Sequence, residues 1–128
     1  MQDVIRVAVL VQKENKFFLV QEETPKVYGL WNWQQGKVEE GEELEQAAVR
    51  EVKEETGFDV HLKRKLSVIE NPFLNTKAIH VFLGEIIGGE LKLSEGEILQ
   101  AKWFTLDEIE EMKNQMTGPW VLDTIRSI

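Results

Sequence analysis

From Val4 to Gln12 apolar residues run almost unbroken and β-branched side chains dominate, which is the pattern of a strand buried on both faces. Glu14-Asn15 supplies a turn, and Phe17 to Gln21 returns as the second arm of a hairpin. Thr24 to Gln35, with Pro25, Gly29 and two tryptophans, reads as loop, and Gly36 and Gly41 flank a short turn. Glu42 to Thr56 is the clearest helix. Glutamates crowd its first turn, where the helix dipole favours anions, and Gly57 stands at the C-terminal stop. Val60 to Glu70 reads as a strand that Asn71-Pro72 breaks, and Ala78 to Ile87 as a strand that Gly88-Gly89 ends. Glu90 to Leu93 could return as a short hairpin arm. Ser94 to Gln100 is an acidic loop, Ala101 to Phe104 a short strand and Leu106 to Asn114 a helix capped by Thr105. Pro119 opens a last helix, Trp120 to Ser127. Strands interleaved with one strong and two weaker helices predict a layered α/β fold. No repeat, low-complexity run or linker interrupts residues 1–128, which read as a single domain.

Composition narrows the classes. An apolar share of 42% and a charged share of 30% over 128 residues describe an ordered chain with one core. There is no cysteine, which removes disulfides, thiolate metal sites and cysteine nucleophiles, and suits a reducing cytoplasm. The net charge of −8, from 23 acidic and 15 basic residues, repels a nucleic-acid backbone and anionic lipid. Neither a nucleic-acid polymer nor a membrane is expected as partner. A small phosphorylated ligand remains compatible if divalent cations bridge the repulsion. The apolar run Val7 to Val11 is too short to span a membrane, and no small-residue cleavage site follows it. The sequence leaves the oligomeric state open.

The segment richest in chemistry starts at Gly36-Lys37-Val38-Glu39-Glu40-Gly41-Glu42 and resumes at Arg50-Glu51-Val52-Lys53-Glu54-Glu55-Thr56-Gly57-Phe58. Glu51, Glu54 and Glu55 are spaced i, i+3, i+4, so all three carboxylates share one helix face, where like charges repel by a few tenths of a kcal/mol per pair. Ala48, Val49 and Val52 lie on a neighbouring face and can dock it on a sheet. Carboxylates crowded beside a buried stripe call for neutralisation, and magnesium prefers carboxylate oxygens, waters and substrate phosphates. The plain alternative is a solvated acidic helix face.

The spacing decides between them, because the stretch resembles the signature box of the Nudix hydrolase (MutT-like) family. That box runs Gly, five residues, Glu, seven residues, Arg-Glu, an aliphatic, one residue, Glu-Glu, one residue, Gly and an apolar residue. Gly36, Glu42, Arg50, Glu51, Val52, Glu54, Glu55, Gly57 and Phe58 fill every defined position. The resemblance implies a mixed β-sheet sandwiched between α-helices, and Mg2+-dependent hydrolysis of the diphosphate bond of nucleoside di- or triphosphates or related organic pyrophosphates, with Mn2+ as a possible substitute. It implies Glu51, Glu54 and Glu55 as metal ligands together with the Gly36 carbonyl, and Arg50 as the residue that holds the box carboxylates. Glu51 or Glu54 would serve as catalytic base. A non-catalytic nucleotide-binding module of the same fold is the alternative, and it predicts decay of the box glutamates or arginine, all of which are intact.

Outside the box, family members often carry a further carboxylate before a late strand, where this chain has Glu97 as candidate metal ligand or base. Phe18 to Thr24, Leu30-Trp31-Asn32 and Gly118 to Arg126 are similar to the bacterial NudJ branch, whose members act on nucleoside tri- and diphosphates and on a pyrimidine pyrophosphate. Trp33-Gln34-Gln35 departs from that branch, which carries a proline just before the box glycine. Trp31, Trp33, Phe73 and Trp120 are candidates for a stacking wall, against the plain reading of aromatic core packing. Gln35 is a candidate for polar contact with a ligand. Lys37 and Arg6 could touch phosphates or could be solvated surface charges. Trp103 is assigned to the core, and His61 and His80 to strand positions without catalytic work.

Overall fold

The computed structural model describes residues 4–73 and 75–128. Seven strands form one mixed sheet: β1 (Val4–Lys13), β2 (Lys16–Glu22), β3 (Trp31–Asn32), β4 (Gln34–Lys37), β5 (Phe58–Phe73), β6 (Thr76–Gly89) and β7 (Ile98–Thr105). Its spine runs β3-β2-β1-β6-β5, with β7 paired to β2 and β4 paired to β1. Among the strand pairs of the described residues, β1–β6 alone is parallel. Helix α1 (Leu44–Thr56) covers one face, while α2 (Leu106–Glu111) and α3 (Trp120–Ser127) cover the other.

The uninterrupted apolar run of β1 is explained by this layering. Val7, Val9 and Val11 face Ala47, Ala48 and Val52 of α1, whereas Ala8 and Leu10 face Ile109, Val121 and Ile125 of α2 and α3. Two alanines at the contact let the α1 backbone come close to the sheet. The helix opens with a capping box in which Glu43 accepts from the backbone of Gln46 and the Gln46 side chain accepts from the Glu43 N–H at 2.9 Å. It closes at Gly57 in the left-handed region (φ 82°), whose N–H donates to the Lys53 carbonyl at 2.9 Å. A Thr105 capping box with Glu108 starts α2 as expected. That helix ends at Glu111 rather than Asn114, and a 3-10 turn over Lys113–Gln115 completes the segment.

Four expectations about elements change, the first being that the last strand starts at Ile98, inside the expected acidic loop, and runs to Thr105. Thr24 to Gln35 is not all loop, since β3 and β4 lie at its end. The strand expected to stop before Asn71-Pro72 continues to Phe73, because β5 is an edge strand where proline's missing N–H breaks no ladder; a register shift and a left-handed Asn71 (φ 47°) absorb the disturbance. Glu90 to Leu93 forms no hairpin arm. Instead the Lys92 N–H donates to the Thr56 carbonyl at 2.8 Å and ties this segment to the end of α1.

The sheet forks along one edge of β1. Val11 to Lys13 pair with β2, but Arg6 to Val9 pair with β4, while β2 leaves β1 and takes β3 as its neighbour. Buried Gln34 fills the crotch, its Nε2 donating to the Phe18 carbonyl at 3.4 Å where the strands part. The opening of this fork is where the cleft described below lies.

Gly57 carries the sharpest stability test. A Cβ there would meet the Glu90 carbonyl oxygen as well as forcing a side chain into a left-handed conformation. Gly57→Ala is expected to cost at least about 1–2 kcal/mol, measured by chemical denaturation; a variant as stable as the parent would show that the α1 terminus is not held as described.

Candidate functional site

The site is built around one guanidinium. Arg50 Nε donates to Glu42 Oε2 at 2.7 Å, Nη1 to Glu51 Oε1 at 2.8 Å and to Glu54 Oε1 at 3.0 Å, and Nη2 to the Lys37 carbonyl at 2.9 Å and to Glu42 Oε1 at 3.0 Å. All five donors of the side chain are used. The arrangement draws the loop before α1, the helix and the end of β4 onto one point. Its carboxylate partners stabilise the arginine cation, so its pKa is raised above the ordinary value, first through the Glu42 hydrogen bonds. Glu42 is lowered for the same reason. Glu42 thus orients Arg50 rather than facing a ligand.

Gly36 packs against Glu51 so closely that any Cβ would overlap its carboxyl group. Burial raises the Glu51 pKa, against the pull of Arg50. Glu55 is one turn further on. Its Oε1 is buried without a hydrogen-bond partner among the described residues. Burial raises its pKa well above the ordinary carboxylate value, and the nearby acids Glu22, Glu51 and Glu97 add to the rise, while the Gln35 backbone N–H opposes it. Glu54 lies outward and is largely exposed.

Glu97 reaches this group because its loop is laced to α1 and β2. The Ser94 N–H donates to the Glu55 carbonyl at 3.1 Å, the Glu23 N–H to the Glu97 carbonyl at 2.8 Å, and Ser94 Oγ to Glu97 Oε1 at 3.0 Å. The sequence reading missed Glu22, at the end of β2. Burial raises its pKa, Asn32 Nδ2 donates to it at 3.1 Å, and Glu97 raises it further. The signal was present: Phe18, Val20 and Glu22 alternate on the face that α1 covers, and a carboxylate as third member of that stripe is out of place unless something uses it. Among the described residues no three acidic or histidine side chains converge into a ready-made cation cage, Arg50 holding Glu51 and Glu54 as it does. The orphaned Glu55 oxygen and the side-chain-free cradle at Gly36 nevertheless fit a hard divalent cation.

Glu22, Glu55 and Glu97 line a cleft of about 470 Å³ in the fork of the sheet. Arg6, Gln35, Asn32, Phe73 and Trp120 also line it. The aromatic expectations divide. Phe73 and Trp120 meet edge to face in the cleft, ring centres 5.6 Å apart, and a Cβ on Gly118 would collide with the Trp120 indole, which fixes that ring's place. Trp31 and Trp33 are corrected: they are only 6% and 1% exposed, Trp31 packs edge to face on Phe104 at 4.9 Å, and both belong to the core under α2 and α3. As alternate residues of one extended segment they share a face, which the loop reading concealed. Trp33 still acts on the cleft, because its Nε1 donates to Gln35 Oε1 at 2.9 Å. Lys37 offers its carbonyl to Arg50, and its side chain is exposed outside the cleft. Trp103 packs on Phe18 at 5.1 Å, and the half-buried His80 has its pKa lowered by burial and by Lys65.

The fold and this site define the class. The NUDIX domain family model matches residues 2–123, and the chain belongs to that family. It is 34% identical over 106 residues (82% of this chain) to a putative nudix hydrolase 1 of Caenorhabditis elegans, and 34% identical over 107 residues (80%) to an ADP-ribose pyrophosphatase of Methanocaldococcus jannaschii. A putative 8-oxo-dGTP diphosphatase of Bacillus subtilis is 39% identical over 74 residues, 58% of this chain. The chain spans 28%, 62% and 49% of the length of these three relatives, in that order. A solved NUDIX hydrolase from Nitrosomonas europaea superposes with a TM-score of 0.86 at 26% identity, covering 98% of this chain and 87% of that one. The expected mixed sheet between helices is thereby the family's fold, and members of the family in general need a divalent metal. No helix among the described residues is long and apolar enough to cross a membrane.

Glu55 gives a pH test with a definite sign. Its folded pKa is raised, so its contribution to stability is present below the ordinary carboxylate range and is lost as pH rises through the elevated value. In metal-free protein, Glu55→Gln is expected to melt higher than the parent, with a gap that widens from about pH 5 to pH 8. A gap independent of pH would mean that folding does not raise the Glu55 pKa.

Proposed function

We propose that this domain is a pyrophosphohydrolase that uses Mg2+, with Mn2+ as a possible substitute, to cleave the diphosphate bond of nucleoside di- or triphosphates or related organic pyrophosphates. The observation that carries the proposal is the set of acids around Glu55, whose buried and unpartnered oxygen is costly to keep charged without a cation. The relatives named as an ADP-ribose pyrophosphatase and a putative 8-oxo-dGTP diphosphatase support the same chemistry.

Glu51, Glu55 and Glu97, with Glu54, Glu22 and the Gly36 carbonyl within the same group, would hold the metal. When bound it supplies charge neutralisation for the phosphates and an acidified water. The chain's own residues do the rest. Arg50 holds Glu51 and Glu54 in register through the two hydrogen bonds of its Nη1. A glutamate of this set, Glu51, Glu54 or Glu97, takes the proton of the attacking water, after which a nucleoside or alcohol monophosphate and phosphate or pyrophosphate separate. A cleft of about 470 Å³ has room for one nucleoside with its phosphates, so the preferred substrates are small nucleotides rather than dinucleotides. A polymer is disfavoured by the net charge of −8.

Turnover of nucleoside di- and triphosphates is expected to be abolished by EDTA and restored by Mg2+ or Mn2+. Glu54→Gln, exposed and therefore well tolerated by the fold, is expected to lower kcat about a hundredfold or more. Full activity in chelator would overturn the mechanism. A kcat/KM for ADP-ribose above that of every mononucleotide would overturn the substrate preference alone.

A further inference from the structure

We infer that Arg6 and Gln35 make the cleft selective for a nucleobase that presents carbonyl oxygens, such as guanine or uracil, over one that presents amino groups in the same place, such as adenine or cytosine. The inference rests on the pyrophosphohydrolase reading and names the class of nucleotide that reading left open.

Arg6 lies in the middle of the fold's first strand, opposite Ile79 on β6, and so on the face that Ala8 and Leu10 present to α2 and α3. A guanidinium there is desolvated on its inner side, and its Nε is buried with no hydrogen-bond partner among the described residues. It also makes no ion pair among them, although Glu22, Glu55 and Glu97 line the same cleft. Arg6 therefore lines the same cleft as Phe73 and Trp120, with an inward Nε donor that has no acceptor among the described residues.

The neighbouring amides extend this pattern. Gln35 has its Oε1 engaged by the Trp33 indole N–H at 2.9 Å, so what it offers the cleft is its NH2 group, a second donor. Asn32 is engaged the opposite way. Its Nδ2 donates to Glu22, which leaves Oδ1 as an acceptor. A ring held against Trp120 would thus meet two donors and one acceptor. Guanine matches with the adjacent acceptors O6 and N7 and its ring N–H, and uracil matches with O4 and its ring N–H. Adenine and cytosine place an amino donor, N6 or N4, where O6 or O4 would accept. The aromatic pair would bind any of the four rings, because a π-face carries no such pattern. Discrimination comes from leaving a buried donor unpaired against the wrong base, which a polar site does far better than an apolar one.

The test compares kcat/KM for GTP, ATP, UTP and CTP with Mg2+, and binding of GMP and AMP by calorimetry in EDTA, in the parent, Arg6→Gln and Arg6→Lys. The parent is expected to favour GTP over ATP and UTP over CTP by about tenfold or more, and to bind GMP more tightly than AMP. Both variants are expected to bring these ratios to within about twofold, chiefly through loss on the GTP and UTP side. Arg6→Lys keeps the charge but not the fork, which separates base reading from attraction of phosphate. Equal rates for the four nucleotides in the parent, ratios unchanged in both variants, or a uniform fall for all four in Arg6→Gln would each overturn the inference. Failure of the parent to turn over any pyrophosphate would instead strike the pyrophosphohydrolase reading, and the GMP and AMP measurement would still decide on Arg6.

Discussion

The arrangement depends first on the five hydrogen bonds of Arg50. Eight glutamates lie within the box from Glu39 to Glu55, a density of like charge that opposes both helix formation and docking on the sheet. One planar cation, 23% exposed, answers several of them at once by joining Glu42, Glu51 and Glu54 to the Lys37 carbonyl. A lysine could not replace it, because a point charge on a flexible stem cannot satisfy acceptors from a loop, a helix and a strand with fixed geometry. The same clamp holds the loop before α1, the helix and the end of β4 at one point.

Glu55 shows the limit of that device. The clamp does not reach it, and its carboxylate faces Glu22 and Glu97 across the cleft with one oxygen orphaned. A chain selected for stability alone would place a neutral side chain here. The apolar packing of Ala47, Ala48 and Val52 against the β1 valines is what makes the penalty tolerable, since burial of that stripe holds the helix in place whatever the state of its acidic face.

Much of this was legible in the sequence, for reasons that can be traced to particular residues. The two-sided burial of β1 followed from its unbroken apolar run, the extent of α1 from its charge pattern and Gly57, and the start of α2 from Thr105. The box spacing located Gly36, Arg50, Glu51 and Glu55 as neighbours. What stayed hidden was long-range. β3 and β4 are too short to show a period, so the burial of Trp31 and Trp33 could not be read. Glu22 matters because the fork brings β2, β1 and α3 to one opening, and no local pattern reports a fork; Arg6 was legible as a candidate for phosphate contact, but its place in the cleft with Gln35 was not. Pro72 looked like a terminator because the sequence does not say which strand lies at an edge.

That fork has a consequence for how such a domain can diversify. The acids come from α1, the end of β2 and the loop it carries, on one side of the sheet. The groups suited to recognising a ring come from β1, β4, β5 and α3, reached mainly from the other. The two sets rest largely on separate supports: a change at Arg6 or Trp120 leaves the Arg50 clamp untouched, and the sets meet where Asn32 donates to Glu22 and the Gln35 backbone to Glu55. One scaffold can therefore exchange its cargo without rebuilding its cutting edge.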